Sequence, residues 1–187
     1  MSQKYYPITV AGCRRFLPIC PLNDSLQIAG FVMFGDPELT TACAKELLSR
    51  APAYDYLISA EAKGIPLVHE MARLAGNQKY FLARKAPKLY MTGVMDVRVR
   101  SITTNAEQHL YLDTADAAIM KGRQILIVDD VVSTGESLRA LEQLVREAGG
   151  IICGRMTVLA EGDARYMEQL TYLEPLPLFD AEGNPIA

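Results

Sequence analysis

Histidine is nearly absent from this chain, with two residues in 187, and no two of its four cysteines (Cys13, Cys20, Cys43 and Cys153) form a Cys-x-x-Cys pair. Zinc sites need such ligands in close spacing, so a zinc site is not expected. The thiols read as free and buried, as in a cytoplasmic protein. Charge of one sign is also missing: 19 Lys and Arg face 22 Asp and Glu, a net of −3. Nothing therefore pulls the whole molecule towards nucleic acid or an acidic membrane, and any phosphate site must be local. No apolar run reaches membrane-spanning length, and "MSQKYYPITV" has no apolar signal core. Cytoplasmic localisation, with no nucleic-acid or membrane partner, is the expectation. Internal repeats and low-complexity tracts are absent too. What remains is an ordinary globular composition, half hydrophobic and 22% charged, in one domain long enough to build a core.

The pattern along the chain predicts alternating strands and helices. "ITVAGCRRFLPICPL" and "SLQIAGFVMFGD" read as short strands broken by Gly and Pro. Asp36 and Pro37 open a helix over "DPELTTACAKELLSRA" as N-cap and first helical residue. A strand over "YDYLISA" meets the turn "EAKG" and a helix over "IPLVHEMARLAG". "KYFLA" is the next strand and "RKAPKLY" an exposed basic loop. "MDVRVRSITTNAEQHLYLD" alternates at both ends around a polar middle, as a projecting β-hairpin does. "RQILIVDD" reads as a buried strand, "SLRALEQLVREAGG" as a helix closed by a glycine pair, and "IICGRMTVLA" as another strand. The expected fold class is α/β, a mainly parallel sheet flanked by helices. Ligands bind off the carboxyl ends of such strands, and three polar turns fall there: "EAKG", "RKAPK" and "DDVVSTGES".

Asp129 and Asp130 stand side by side just before a loop of small residues entering a helix. Helix capping needs only one oxygen, so two carboxylates exceed it. A phospho-receiver domain carries its acid pair on the first strand, and too few residues follow Asp130 for the rest of that fold. A P-loop needs Lys before the Ser/Thr, where this chain has Glu136. A phosphorylated sugar fits better. The helix N-terminus and backbone amides of Ser133, Thr134, Gly135, Glu136 and Ser137 suit a 5-phosphate, and the acids suit vicinal hydroxyls or a magnesium ion bound to them.

The run Ile125 to Ser137 resembles the phosphoribosyl pyrophosphate signature of the type I phosphoribosyltransferases, and the similarity extends over about Phe34 to Leu159. The resemblance implies that family's fold: a core over 34–160, a small N-terminal hood within 1–33 whose strands at Ile8 to Met33 hold the base, and a C-terminal extension over 161–187. "SAEAKGIPLV" stands where the family has its pyrophosphate loop, with Lys63 and Gly64 the matching residues. "ARKAPKLY" is similar to the Arg-Lys-x-x-Lys-Leu element of adenine phosphoribosyltransferases and brings Arg84, Lys85 and Lys88 to pyrophosphate, in the family often across a dimer interface. The hairpin Val97 to Asp113 corresponds to the mobile loop, with Glu107 the candidate acid. Two features depart from the adenine enzymes: Glu136 replaces a usual Gly, and the loop and "EAKGI" turn look as much like the bacterial xanthine enzymes.

The implied reaction transfers the 5-phosphoribosyl group from phosphoribosyl pyrophosphate to a purine, adenine ahead of xanthine, in purine salvage. Asp129 and Asp130 carry the catalytic role, with Asp130 meeting Mg²⁺ indirectly, and a homodimer is expected. A regulator that only senses phosphoribosyl pyrophosphate is the other class, but the N-terminal region lacks a helix-turn-helix pattern. On residues alone, Lys63 also fits a solvated turn lysine and "RKAPK" a solubilising loop. His69 reads as a helix residue, His109 has no assigned role, and the methionines read as core filler.

Overall fold

Three strands, β1 (Tyr5–Val10), β2 (Cys13–Pro21) and β3 (Gln27–Ala29), precede the first helix in the computed structural model, which describes residues 3–100 and 107–186. Of residues 99, 100, 107 and 108 only the backbone belongs to that description. The first helix, α1 (Pro37–Arg50), starts where the sequence places it: Asp36 accepts the Leu39 amide at 3.0 Å and Pro37 needs no donor. After it come β4 (Tyr56–Ala60), α2 (Ile65–Ala75) and the short β5 (Phe81–Ala83). An antiparallel arm, β6 (Val94–Arg100) with β7 (Glu107–Asp113), pairs in continuous register from Val94↔Asp113 to Arg100↔Glu107. The tip that joins these strands, 101–106, lies outside the described residues. The chain continues with α3 (Thr114–Met120), β8 (Gln124–Val132), α4 (Glu136–Glu147) and β9 (Ile151–Glu161), a single 3₁₀ turn, then β10 (Leu170–Leu176), β11 (Leu178–Phe179) and β12 (Pro185–Ile186).

The core sheet runs β10-β9-β8-β4-β5, and every pair in it is parallel. Its central strand shows why the aliphatic run is unbroken. Leu126 and Val128 pack in one cluster with α1, α2 and the first strands, while Ile125 and Ile127 pack in a second with α4 and the arm. A strand buried on both faces needs apolar residues at every position. Removing one of these side chains, as in Leu126→Ala, costs about 2–5 kcal/mol.

The second sheet, β1-β2-β3-β11-β12, is antiparallel and caps one side of the core. Arg15 on β2 fastens it to α1 through Asp36 (Nε–Oδ2 2.6 Å, Nη2–Oδ1 2.9 Å). Segment 161–187 supplies strands to both sheets: β10 extends the core sheet, and β11 and β12 complete the antiparallel one. The helix α3, whose Asp113 cap accepts the Ala115 amide at 3.0 Å, is an element the sequence pattern does not announce. Among the described residues no helix is long and apolar enough to cross a membrane.

Candidate active site

A cavity of about 560 Å³ opens at the carboxyl ends of β4 and β8, between the turn 61–64, the acid pair and the arm. Lys63, Lys85, Asp129, Asp130 and Ser137 line it, as do Glu61 and His109. The turn after β4 contains a cis peptide between Glu61 and Ala62 and ends at Gly64, which begins α2. Glycine is required there by close approach: a Cβ on Gly64 meets Asp129 Oδ1 at 2.9 Å and presses on Ser59 Oγ. The turn therefore packs closely enough on the first acid of the pair that a side chain at Gly64 has no room.

β8 carries both carboxylates and continues to Val132, so the acids are held by sheet hydrogen bonds rather than by a loop. Burial, and then the charge of Asp130, raise the Asp129 carboxyl above the ordinary carboxylate range, partly offset by the Asp130 amide donating to Oδ1 at 2.9 Å. Lys63 Nζ stands 3.2 Å from Asp130 Oδ2, yet that buried oxygen has no partner in hydrogen-bonding geometry. A buried, unpartnered carboxylate oxygen is costly unless a ligand takes it.

The next turn places Gly135 at φ +75° as the N-cap of α4. A left-handed residue with no side chain leaves the first amides of the helix without a side-chain cap, and α2 behind Gly64 is likewise uncapped. The helices α1 and α3 are both capped by aspartate. Among the described α-helices, the two without a side-chain cap are therefore the two at the cavity. At α2 the Ile65 amide already donates to Ala62 O and Pro66 has no N–H, so α4 offers an anion more donors, while both present a positive dipole end. Of the loop hydroxyls, Ser137 reaches the cavity. Thr134 Oγ1 accepts the Glu136 amide at 3.4 Å, and the Ser133 hydroxyl meets Glu161.

Glu61 knits the two basic elements together. Its Oε2 accepts the Lys85 amide at 3.0 Å, and Oε1 lies 3.4 Å from Arg84 Nη2 and 3.8 Å from Lys88 Nζ. That amide, then the cations of Arg84, Lys88 and Lys85, hold its carboxyl below the ordinary range. The segment "RKAPK" is consequently anchored at its start, and Arg84 Nε is buried without a hydrogen-bond partner. The arrangement suits a ligand anionic at both ends with hydroxyls between.

The structure brings Lys63, Lys85, Asp129, Asp130 and Ser137 to one cavity, with Gly64, Arg84, Lys88 and the turn Ser133 to Glu136 directly behind it. Glu107 begins β7, and its side chain lies outside the described residues. His69 sits on α2 against Tyr80, 3.4 Å from its hydroxyl. Three residues escape sequence reasoning. Glu61 is an acid within a turn read for its lysine, Glu161 is buried at the end of β9 with no motif around it, and His109 is brought in by the arm.

Residues 43–174, well over half of the chain, match the phosphoribosyl transferase domain family. Among curated relatives, a hypoxanthine/guanine phosphoribosyltransferase of Methanocella paludicola is 27% identical over 183 residues, covering 96% of this chain and 88% of its own. One of Methanotorris igneus is 30% identical over 149 residues, 79% of this chain and 74% of its own. An adenine phosphoribosyltransferase of Petrotoga mobilis is 33% identical over 123 residues, 65% and 62% respectively. In fold, the crystal structure of adenine phosphoribosyltransferase from Rhodothermus marinus superposes with a TM-score of 0.68 at 22% identity, covering 84% of this chain and 94% of that one. The fold, the uncapped helix termini around paired acids and the family match agree: this chain belongs to the phosphoribosyl transferase domain family.

Proposed function

We propose that the protein is a purine phosphoribosyltransferase, exchanging the pyrophosphate of phosphoribosyl pyrophosphate for a purine to give a nucleoside 5′-monophosphate. The observation that carries this reading is the acid pair, Asp130 buried and Asp129 partly buried, set between two helix N-termini that lack a side-chain cap. The α4 terminus takes the 5-phosphate, the acids accept from the ribose hydroxyls, and the 61–64 turn with Lys63, Arg84, Lys85 and Lys88 takes the pyrophosphate. The relatives support a purine acceptor, because they include both hypoxanthine/guanine and adenine enzymes. Adenine is favoured on the "RKAPKL" element, and hypoxanthine, guanine and xanthine are the alternatives.

No nucleophilic side chain is needed. The C1–oxygen bond to pyrophosphate breaks and the C1–nitrogen bond forms, the purine nitrogen giving its proton to solvent, and the cations around the cavity stabilise the charge gathering on the departing group. Mg²⁺ fits this site as a shared rather than a protein-caged ion. Among the described residues no group of three or more His, Cys, Asp or Glu could hold a metal, but Asp130 Oδ2 accepts no hydrogen bond and has the half-exposed Lys63 ammonium beside it, which a metal ion could displace. Asp130 and Asp129 would hold it together with substrate oxygens, and the ion when bound neutralises pyrophosphate charge. A homodimer accompanies this reading: Leu89 and Tyr90, next to Lys88, are exposed apolar residues that a two-fold partner would cover.

Incubation of the protein and Mg²⁺ with phosphoribosyl pyrophosphate and a panel of bases tests the proposal. Release of pyrophosphate with a purine, and formation of the matching nucleotide, is expected. Absence of turnover with every purine overturns it.

A further inference from the structure

One fully buried hydroxyl makes no hydrogen bond. Strand β4 reads "YLISA", and Leu57, Ile58 and Ala60 around its serine are all buried, as a strand covered on both faces requires. Ser59 interrupts that apolar run at 0% exposure. Among the described residues the other buried hydroxyls are satisfied. Thr40 Oγ1 donates to the Asp36 carbonyl at 2.7 Å, and Thr157 Oγ1 to that of Leu159 at 3.3 Å. Ser59 Oγ has no partner. A buried hydroxyl without a hydrogen bond lowers stability, and an alanine fits the same place without that cost. Nothing in the free protein rewards serine at this position, which points to a partner met in the loaded state.

The surroundings of the hydroxyl name that partner. The point where a Cβ on Gly64 would stand is bordered by Ser59 Oγ and, at 2.9 Å, by Asp129 Oδ1. Glycine leaves that point empty, so no side chain of the turn stands between the hydroxyl on β4 and the first acid on β8. Asp129 lines the cavity, whereas Ser59 does not. Oδ1 already accepts the Asp130 amide at 2.9 Å, and a carboxylate oxygen has a second lone pair for another donor. We propose that Ser59 is a positioning residue for Asp129: when a nucleotide occupies the site, the Ser59 hydroxyl donates to Oδ1 and holds the carboxylate so that Oδ2 accepts from a ribose hydroxyl. Two donors on one oxygen fix the rotation of the side chain, and a fixed acceptor is what a single sugar hydroxyl needs. Ser59 touches no substrate and acts only through the acid. This role rests on the proposed reading of the acid pair as the holder of the ribose, but its test reads binding and not turnover.

Ser59→Ala removes the hydroxyl and little else. Its melting temperature should equal or exceed that of wild type, because the free protein loses no hydrogen bond. Calorimetry then titrates both proteins with a purine nucleoside 5′-monophosphate and with its 2′,3′-dideoxy counterpart, in the absence of divalent cations. Ribonucleotide affinity should fall about tenfold in Ser59→Ala, the scale of one hydrogen bond to a charged group. The dideoxynucleotide gives Asp129 no hydroxyl to accept from, so its affinity should change by no more than about twofold, as for sites that do not couple. A serine that only supports the fold would weaken both ligands alike, so equal losses overturn the proposal. An unchanged ribonucleotide affinity, a lower melting temperature, or a wild type that binds the two nucleotides equally or binds neither also overturns it. The base panel judges the reaction separately. Turnover there without the predicted difference between nucleotides sinks the Ser59 contact alone, and the predicted difference without turnover sinks the reaction alone.

Discussion

Lys63 Nζ and Asp130 Oδ2 lie 3.2 Å apart, the lysine side chain half exposed at 51% and the aspartate buried at 4%. The ammonium is thus the wet end of a pair whose other end is dry. On the proposed reading, that asymmetry makes Lys63 a charge the site lends, balancing Asp130 in the free protein and pyrophosphate in the loaded one.

Lys63→Met separates those roles. Exposure of the lysine screens the pair, so the stability loss should be about 1 kcal/mol, nearer the value for surface pairs than for buried ones. Transition-state stabilisation should fall by more, about 2–4 kcal/mol in kcat/KM, as when one preorganised electrostatic contact is removed. Denaturant unfolding and steady-state kinetics measure the two. A variant that keeps wild-type kcat/KM would remove Lys63 from the pyrophosphate site.

Gly64→Ala tests the contact between the pyrophosphate turn and the acid pair. The new methyl meets Asp129 Oδ1 and Ser59 Oγ. Overpacking should cost about 1–3 kcal/mol in thermal or denaturant unfolding, and turnover should fall because Asp129 is displaced. An alanine variant as stable and active as wild type would contradict this close approach.

Glu161 makes the protein sensitive to pH from the other side of the loop. Burial raises its carboxyl above the ordinary value, with the Ser133 hydroxyl and the charge of Lys63 opposing. A raised carboxylate binds its proton more tightly folded than unfolded, so its contribution is fully present below the unfolded value of about 4.3. It is then lost as pH rises through the folded value. Glu161→Gln should therefore gain stability relative to wild type as pH increases across that window. Melting temperatures of both proteins between pH 4 and pH 8 check this, and a constant difference across the series would show that Glu161 is not held protonated by burial.

The exposed pair Leu89 and Tyr90 beside Lys88 predicts association. Light scattering should give twice the chain mass, and Leu89→Glu should shift it towards the monomer by setting a charge in a covered apolar edge. A wild type that is monomeric and fully active at nanomolar concentration contradicts the dimer.

Much of this site could be read locally. Asp36 and Pro37 announce α1 because capping involves neighbours in sequence, and the unbroken Ile125–Val128 run announces a strand buried on both faces. The acid pair and the glycine turns follow for the same reason. Long-range pairing is what local pattern cannot supply. Nothing in "TYLEPL" distinguishes a core-sheet strand from a tail, and only its register against Arg155 to Glu161 does so. Glu61 becomes the anchor of Arg84 and Lys88 only when β4 and β5 lie side by side. Gly135 illustrates the limit from the other direction. Its positive φ follows from the turn, but a side chain there meets Met167 Cε at 2.6 Å, a neighbour fixed by the segment after β9.

The central claim is that the Gly135 turn grips a 5-phosphate while the acid pair grips the sugar and metal. Asp130→Asn keeps the turn, so a purine nucleoside 5′-monophosphate should still bind it detectably while turnover is lost, about 2–4 kcal/mol of transition-state stabilisation. Gly135→Val forces a branched residue to φ +75° and against Met167, which distorts the amide cradle, so nucleotide binding and turnover should both go. Calorimetric titration of the two variants with product nucleotide, each checked for a cooperative melt, compares them directly. Detectable binding by Asp130→Asn and none by Gly135→Val is the predicted outcome; wild-type affinity in Gly135→Val would place the phosphate elsewhere.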